Sequence, residues 1–202
     1  MVTIEHLCRL GDTLIDARWK SLFYALYLTG ARVSEILDTE RKDWYVDNHN
    51  GHQVMFVRLI TLKRKQKYIR TVPINLEITR TPEETKMAEY VLNYLRPKHP
   101  DEKPWPICRK TAWKYLSVIP FKTRTVIKGQ YIRDHEFKMW PHYLRHCRLT
   151  HLAQYYSFDE SYLVRFTGWT NSKPAQTYVN LNVGALVDRM QERKMMEVTY
   201  DE

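Results

Sequence analysis

The sequence predicts an α+β chain, mainly helical, with one small antiparallel sheet built around a hairpin. Three observations predict it. Apolar residues recur at helical spacing through most of the 202 residues. One stretch, 54–62, is instead β-branched and apolar and is followed by a basic turn and a second extended run. Gly 6 and Pro 9 keep the chain far from low-complexity composition, and 44% hydrophobic residues suffice for the core of a single domain.

The elements follow in order. Thr3 caps a short helix over 3–10. A longer helix follows Asp16, with Trp19, Leu22, Phe23, Leu26 and Tyr27 as its apolar stripe, and Gly30 stops it. A short helix covers Val33 to Leu37. Asn48-His49-Asn50-Gly51 is a turn, Val54 to Leu62 a strand, and a tight basic turn near Lys65-Gln66 leads back through Tyr68 to Ile74. Thr81-Pro82-Glu83-Glu84 joins a capping Thr, a Pro at the first helical position and a Glu three residues after the cap, opening a helix that ends near Leu95. Pro97, Pro100, Pro104 and Pro106 make 96–106 an extended connection. Helices are predicted over 109–118, 141–155, 159–166, 174–180 and 183–195, and no internal repeat is present.

Charge narrows the function. The net charge is +9 and the isoelectric point about 9.4, with a mean hydropathy of −0.55. Residues 58–70 hold Arg58, Lys63, Arg64, Lys65, Lys67 and Arg70 without an acid. Residues 103–148 hold eleven Lys and Arg against Asp134 and Glu136. These stretches are interleaved with Trp105, Trp113, Tyr115, Tyr131 and Trp140, which suits a phosphate-rich polyanion whose counterions are released on binding. No apolar run approaches the roughly 18 residues of a membrane span, and the opening MVTIEHLCRLGD lacks the apolar core of a secretory leader. Cys8, Cys108 and Cys147 have no CxxC spacing, so neither a disulfide framework nor a zinc knuckle is expected, and a reducing cytoplasm is.

Five pieces carry chemistry. In Thr29-Gly30-Ala31-Arg32-Val33-Ser34-Glu35 a glycine stop puts Arg32 at a helix start with Glu35 on the same face, either to aim the guanidinium at an anion or as an ordinary surface ion pair worth about 0–1 kcal/mol. Lys63, Lys65 and Lys67 alternate at the hairpin, where strand geometry points them to one face, either toward a leaving oxygen or simply toward water. In Pro141-His142-Tyr143-Leu144-Arg145-His146 the spacing of His142 and Arg145 lets both face one site. His142 and His146 are also one turn apart, but the Glu of a zinc-protease helix is missing, and Cys147 and His151 do not complete a ligand set. Thr167-Gly168-Trp169 and, nine residues after Trp169, Tyr178 finish the set. A tyrosine is a poor nucleophile at neutral pH unless cations stabilise its phenolate or a base takes its proton. Arg32, Arg145 and Lys65 are the candidate cations and His142 the candidate acceptor.

In this order and spacing the pieces resemble the catalytic domain of the tyrosine recombinase (lambda-type integrase) family: TGxRxxE, a hairpin Lys, HxLRH, a Gly followed by His or Trp, then Tyr. The resemblance runs from about residue 3 to 190, and LRHCRLTHL followed by TGW looks most like archaeal viral or plasmid integrases. It implies that Arg32 and Arg145 grip the scissile phosphate of double-stranded DNA. Tyr178 then attacks phosphorus to give a 3′-phosphotyrosyl link, Lys65 protonates the 5′-oxygen, His142 handles the tyrosine proton and Trp169 packs on the site. Lys63 is the alternative to Lys65; counting eight back from Pro73 favours Lys65. Glu35 supports Arg32, and Lys63, Arg64, Lys67 and Arg148 are the expected DNA-backbone contacts. The resemblance further implies a catalytic core over 3–182 and a tail over 183–202 that exchanges between subunits of a tetramer on DNA. It implies no cofactor, metal, membrane or small-molecule substrate. An N-terminal core-binding domain, usual in the family, is not expected within these residues.

Overall fold

The computed structural model describes residues 2–61, 68–117, 120–127, 130–138 and 140–179, with 120–138 described by their backbone alone. Eight helices are seen among them: α1 (Ile4–Asp12), α2 (Ala17–Thr29), α3 (Val33–Leu37), α4 (Pro82–Leu95), α5 (Arg109–Ser117), α6 (Pro141–Tyr155), α7 (Glu160–Thr167) and α8 (Lys173–Val179). Strands β1 (Trp44–His49), β2 (His52–Thr61) and β3 (Tyr68–Asn75) form a meander, and β4 (Pro120–Ile127) pairs with β5 (Gln130–Lys138).

Two of the three expected caps form; at α4 the proline start holds, but Thr81 makes no side-chain cap bond, and Glu84 is turned inward to accept from Arg148 and the Tyr156 hydroxyl. Thr3 accepts from the His6 N–H, and Asp16 accepts from the N–H groups of Arg18 and Trp19. Gly30, at φ 54°, closes α2 in the left-handed conformation. The predicted helix α2 departs from a one-sided stripe, since every residue from Ser21 to Thr29 is buried. Its sequence, LFYALYL, is apolar nearly all round, so it becomes the central helix, with α1, α4, α6 and β3 packed about it.

The sheet is larger than one hairpin. Strand β1 was not predicted because only Trp44 of its six residues is buried, so WYVDNH lacks the inward alternation that marks a strand. Pairing of Trp44 with Val57 and of Val57 with Val72 carries the register across the sheet. The β4–β5 hairpin was also unforeseen: its sequence reads as a basic, aromatic stretch, and its register shifts between Thr125 and Val126. Trp105, grouped with the aromatics facing a polyanion, is instead a core residue at 1% exposure, its indole N–H donating to Ser21 Oγ at 3.0 Å.

Two buried histidine and arginine positions fasten α6. His151 Nε2 donates to the Val2 carbonyl at 2.8 Å, which leaves Nδ1 to accept from the Tyr27 hydroxyl at 2.9 Å. Burial drives its pKa down to about 4, so the ring is neutral at pH 7. Arg148 lies 7% exposed and donates to Glu84, which also accepts from the Tyr156 hydroxyl. The expectation that Arg148 contacts DNA is therefore corrected: its guanidinium is turned into the core, over the rings of Tyr27 and Tyr156.

Candidate active site

The site is assembled at element boundaries. Gly30 turns the chain so that Arg32 becomes the N-cap of α3. The Arg32 backbone N–H donates to Glu35 Oε2 at 2.8 Å and its Nη1 to Oε1 at 3.0 Å, so the spacing of three does bring the pair together. Glu35 is 2% exposed, however, and a carboxylate so buried needs more than one partner.

The second partner is Arg70 on β3. Its Nη2 donates to Glu35 Oε2 at 2.9 Å and its Nη1 to Oε1 at 3.2 Å. The remaining donors reach Thr61 Oγ1 on β2 at 2.9 Å and the Phe166 carbonyl at the end of α7 at 3.1 Å. Burial pushes the Glu35 carboxyl up, but the hydrogen bonds and charge of Arg70, with those of Arg32, outweigh it and hold the group below its ordinary range. Sequence reasoning counted Arg70 only as part of a basic hairpin. The signal was present: Arg70 is in phase with Val72 and Ile74 on the inward side of β3.

Helix α6 supplies the other guanidinium. Pro141 opens it, and His142, Arg145 and His146 fall on one stripe. Arg145 is 3% exposed; its Nη1 donates to the Gly30 carbonyl at 2.5 Å and its guanidinium lies 5.5 Å from the Trp169 ring centroid. Its Nη2 is buried and has no hydrogen-bond partner among the described residues. Burial, together with the charges of Arg32 and Arg70, brings its pKa down to about 10, so it remains protonated at neutral pH but in an electrostatically crowded place.

Gly168 ends α7 at φ 69°, and a Cβ there would stand 3.0 Å from Arg70 Cδ. The close approach seats Trp169 next to Tyr178 on α8, the two rings stacked at 6.0 Å and 20°. Tyr178 is half-buried, and its hydroxyl is 3.3 Å from His146 Nδ1. Burial raises the phenol pKa, and the charge of Arg145 pulls it back. His146 was not among the predicted site residues; it shares a stripe with His142 one turn earlier. His142 itself is exposed and lines a cleft of about 580 Å³ with Arg32 and Arg145.

Arg32, Glu35, His142, Arg145, Trp169 and Tyr178 are thus brought into one neighbourhood by α3, α6, α7 and α8. Lys63, Arg64, Lys65 and Lys67 lie outside the described residues. The strand ends that flank them, Thr61 and Tyr68, pair with each other, and Thr61 is held by Arg70.

Residues 3–184 match the family model described as the phage integrase family. The chain belongs to that family. Among solved structures, this integrase-family chain is similar to the XerH site-specific recombinase bound to palindromic difH substrate in a post-cleavage complex, at 18% identity and a TM-score of 0.58, over 93% of this chain and 50% of that one. It is also similar to the XerA recombinase, at 17% identity and a TM-score of 0.56, over 94% of this chain and 62% of that one. The chain therefore spans between 50% and 62% of the length of these structures, and at such identities the likeness is one of fold. No curated protein matches it. Among the described residues no helix is long and apolar enough to cross a membrane.

Proposed function

We propose that this chain is the catalytic domain of a site-specific DNA recombinase that cuts and rejoins strands through Tyr178. The observation that carries the reading is Arg145: a guanidinium buried to 3% exposure, with Nη2 unpartnered among the described residues. Burying a cation without an anion is costly, and a cation so placed next to Arg32 is arranged for an anion that arrives with the substrate. A phosphodiester supplies that anion, and two planar forks suit its non-bridging oxygens.

The reaction that follows is a phosphoryl transfer between oxygens. The Tyr178 oxygen bonds to phosphorus while the phosphorus–O5′ bond breaks, giving a 3′-phosphotyrosyl link and a 5′-hydroxyl. The phenolic proton passes to a histidine; His146 Nδ1 is within hydrogen-bond distance of the hydroxyl, and His142 lines the cleft with both arginines. Lys65, with Lys63 as the alternative, gives the departing 5′-oxygen its proton. The bond energy stays in the phosphotyrosyl link, so the exchange runs without nucleotide hydrolysis. Double-stranded DNA is the proposed partner, with assembly into a tetramer through residues 183–202 and action in the cytoplasm. The resemblance of LRHCRLTHL and TGW suggests an archaeal viral or plasmid setting.

The test is a nicked suicide duplex carrying a candidate attachment site. The expected result is a protein–DNA adduct resistant to denaturation, present in the native chain and lost in Tyr178→Phe. An adduct that persists in Tyr178→Phe sinks the nucleophile assignment, and the absence of adduct on every substrate sinks the reading.

A further inference from the structure

The cleft beside Arg32 and Arg145 is larger than one phosphate requires. Its far side is built by α5 and the start of α6. Ala112 and Leu116 fix α5 in the core, which turns Arg109, Lys110 and Trp113 outward. Trp140, the N-cap of α6, completes the wall. Trp113 is 57% and Trp140 40% exposed, two large rings left facing a concave surface. Arg32, Arg109, Lys110 and Arg145 are the cations of the lining, and no carboxylate is among the described residues that form it.

Resting on the recombinase reading, we infer that this cleft takes an unpaired nucleobase of the DNA, the one next to the phosphate held by Arg32 and Arg145. The cations match the phosphodiester, and the two indoles match the π-face of a base, which every base presents regardless of sequence. A base inside a duplex has both faces covered by its neighbours, so only a base turned out of the stack offers one to Trp113 or Trp140. A volume of about 580 Å³ falls within the range of pockets that take small molecules, and it has room for one nucleoside. Strand exchange itself creates such a base, because a cut strand must leave its old complement before it joins a new one. The cleft thus holds the displaced end beside the phosphotyrosyl link and slows its return.

The experiment compares the full chain on a short paired duplex and on the same duplex with a two-nucleotide unpaired bubble containing 2-aminopurine. The native chain is expected to bind the bubble about tenfold more tightly and to quench the 2-aminopurine, as base–indole stacking requires. Trp113→Ala brings the ratio of affinities close to one, whereas Trp113→Phe, which keeps a ring, retains most of it. A native ratio of one overturns the inference, as does a Trp113→Ala chain that keeps its preference or a Trp113→Phe chain that loses it as fully as alanine. A dimer in sedimentation that Trp113→Ala dissolves assigns the cleft to a second copy of this chain and also overturns it. The suicide-substrate adduct separates the two readings. An adduct without bubble preference overturns the base pocket alone; bubble preference without any adduct overturns the recombinase reading and leaves the pocket standing.

Discussion

Arg70 and Arg145 are both buried in this molecule, and their surroundings assign them opposite roles. Every Arg70 nitrogen donates to Glu35, Thr61 or the Phe166 carbonyl. Removing it leaves the Glu35 charge inside with only Arg32 beside it. Arg70→Met is therefore expected to cost about 3–5 kcal/mol in urea denaturation at pH 7, and Glu35→Gln in the same background to recover much of that loss. Arg145 has one carbonyl, one indole and a bare Nη2. Arg145→Met is expected to change stability by less than about 1 kcal/mol while lowering adduct formation by a factor of about 10² or more. Equal destabilisation by the two substitutions would remove the distinction between a structural and a functional guanidinium.

At the scale of elements, the same device is used twice. Helices α2 and α7 both end in Thr-Gly, with the threonine hydroxyl donating to a carbonyl one turn back and the glycine in the left-handed region. Each end then receives an arginine: Arg145 at the Gly30 carbonyl and Arg70 at the Phe166 carbonyl. Gly168→Ala combines an unfavourable φ with a Cβ 3.0 Å from Arg70 Cδ, so a loss of about 1–2 kcal/mol is expected, with slower adduct formation because Trp169 is displaced from Tyr178. A thermal melt unchanged from the native chain would refute it. These helix ends were legible in sequence, since caps, glycine stops and the proline at the start of α4 act locally. The exposed edge strand β1 and the β4–β5 hairpin were not, because their pairing partners rather than their own periodicity define them. Within the site, Arg32 with Glu35 followed from helical spacing, whereas Arg70 required knowing that β3 faces α3 and α7. His146 required the placement of α8 against α6, a contact between segments 32 residues apart.

Across the whole molecule, the two basic stretches do not offer all their charge to a ligand. Arg70 neutralises Glu35, Arg148 neutralises Glu84, and Lys103 pairs with Asp38 at 3.0 Å. What remains from 58–70 is chiefly the run Lys63 to Lys67, which the sequence places between two paired strand ends close to Thr61 and Arg70. If that run tracks the DNA backbone, each cation releases a condensed counterion, and the slope of log K against log salt changes by about 0.9 per contact. Replacing Lys63, Arg64 and Lys67 together by glutamine is expected to make the slope shallower by about 2–3, measured by fluorescence anisotropy on a short duplex across a salt series. Arg148→Met, in a Glu84→Gln background to avoid a stranded carboxylate, is expected to leave the slope within error of the native chain, because its guanidinium is turned into the core against Glu84. The contrast matters more than either slope alone. An arginine in a basic stretch contributes to binding only if the fold leaves it without an acid, and a slope that fell with Arg148 but held with the hairpin triple would place the DNA on a different face of the molecule.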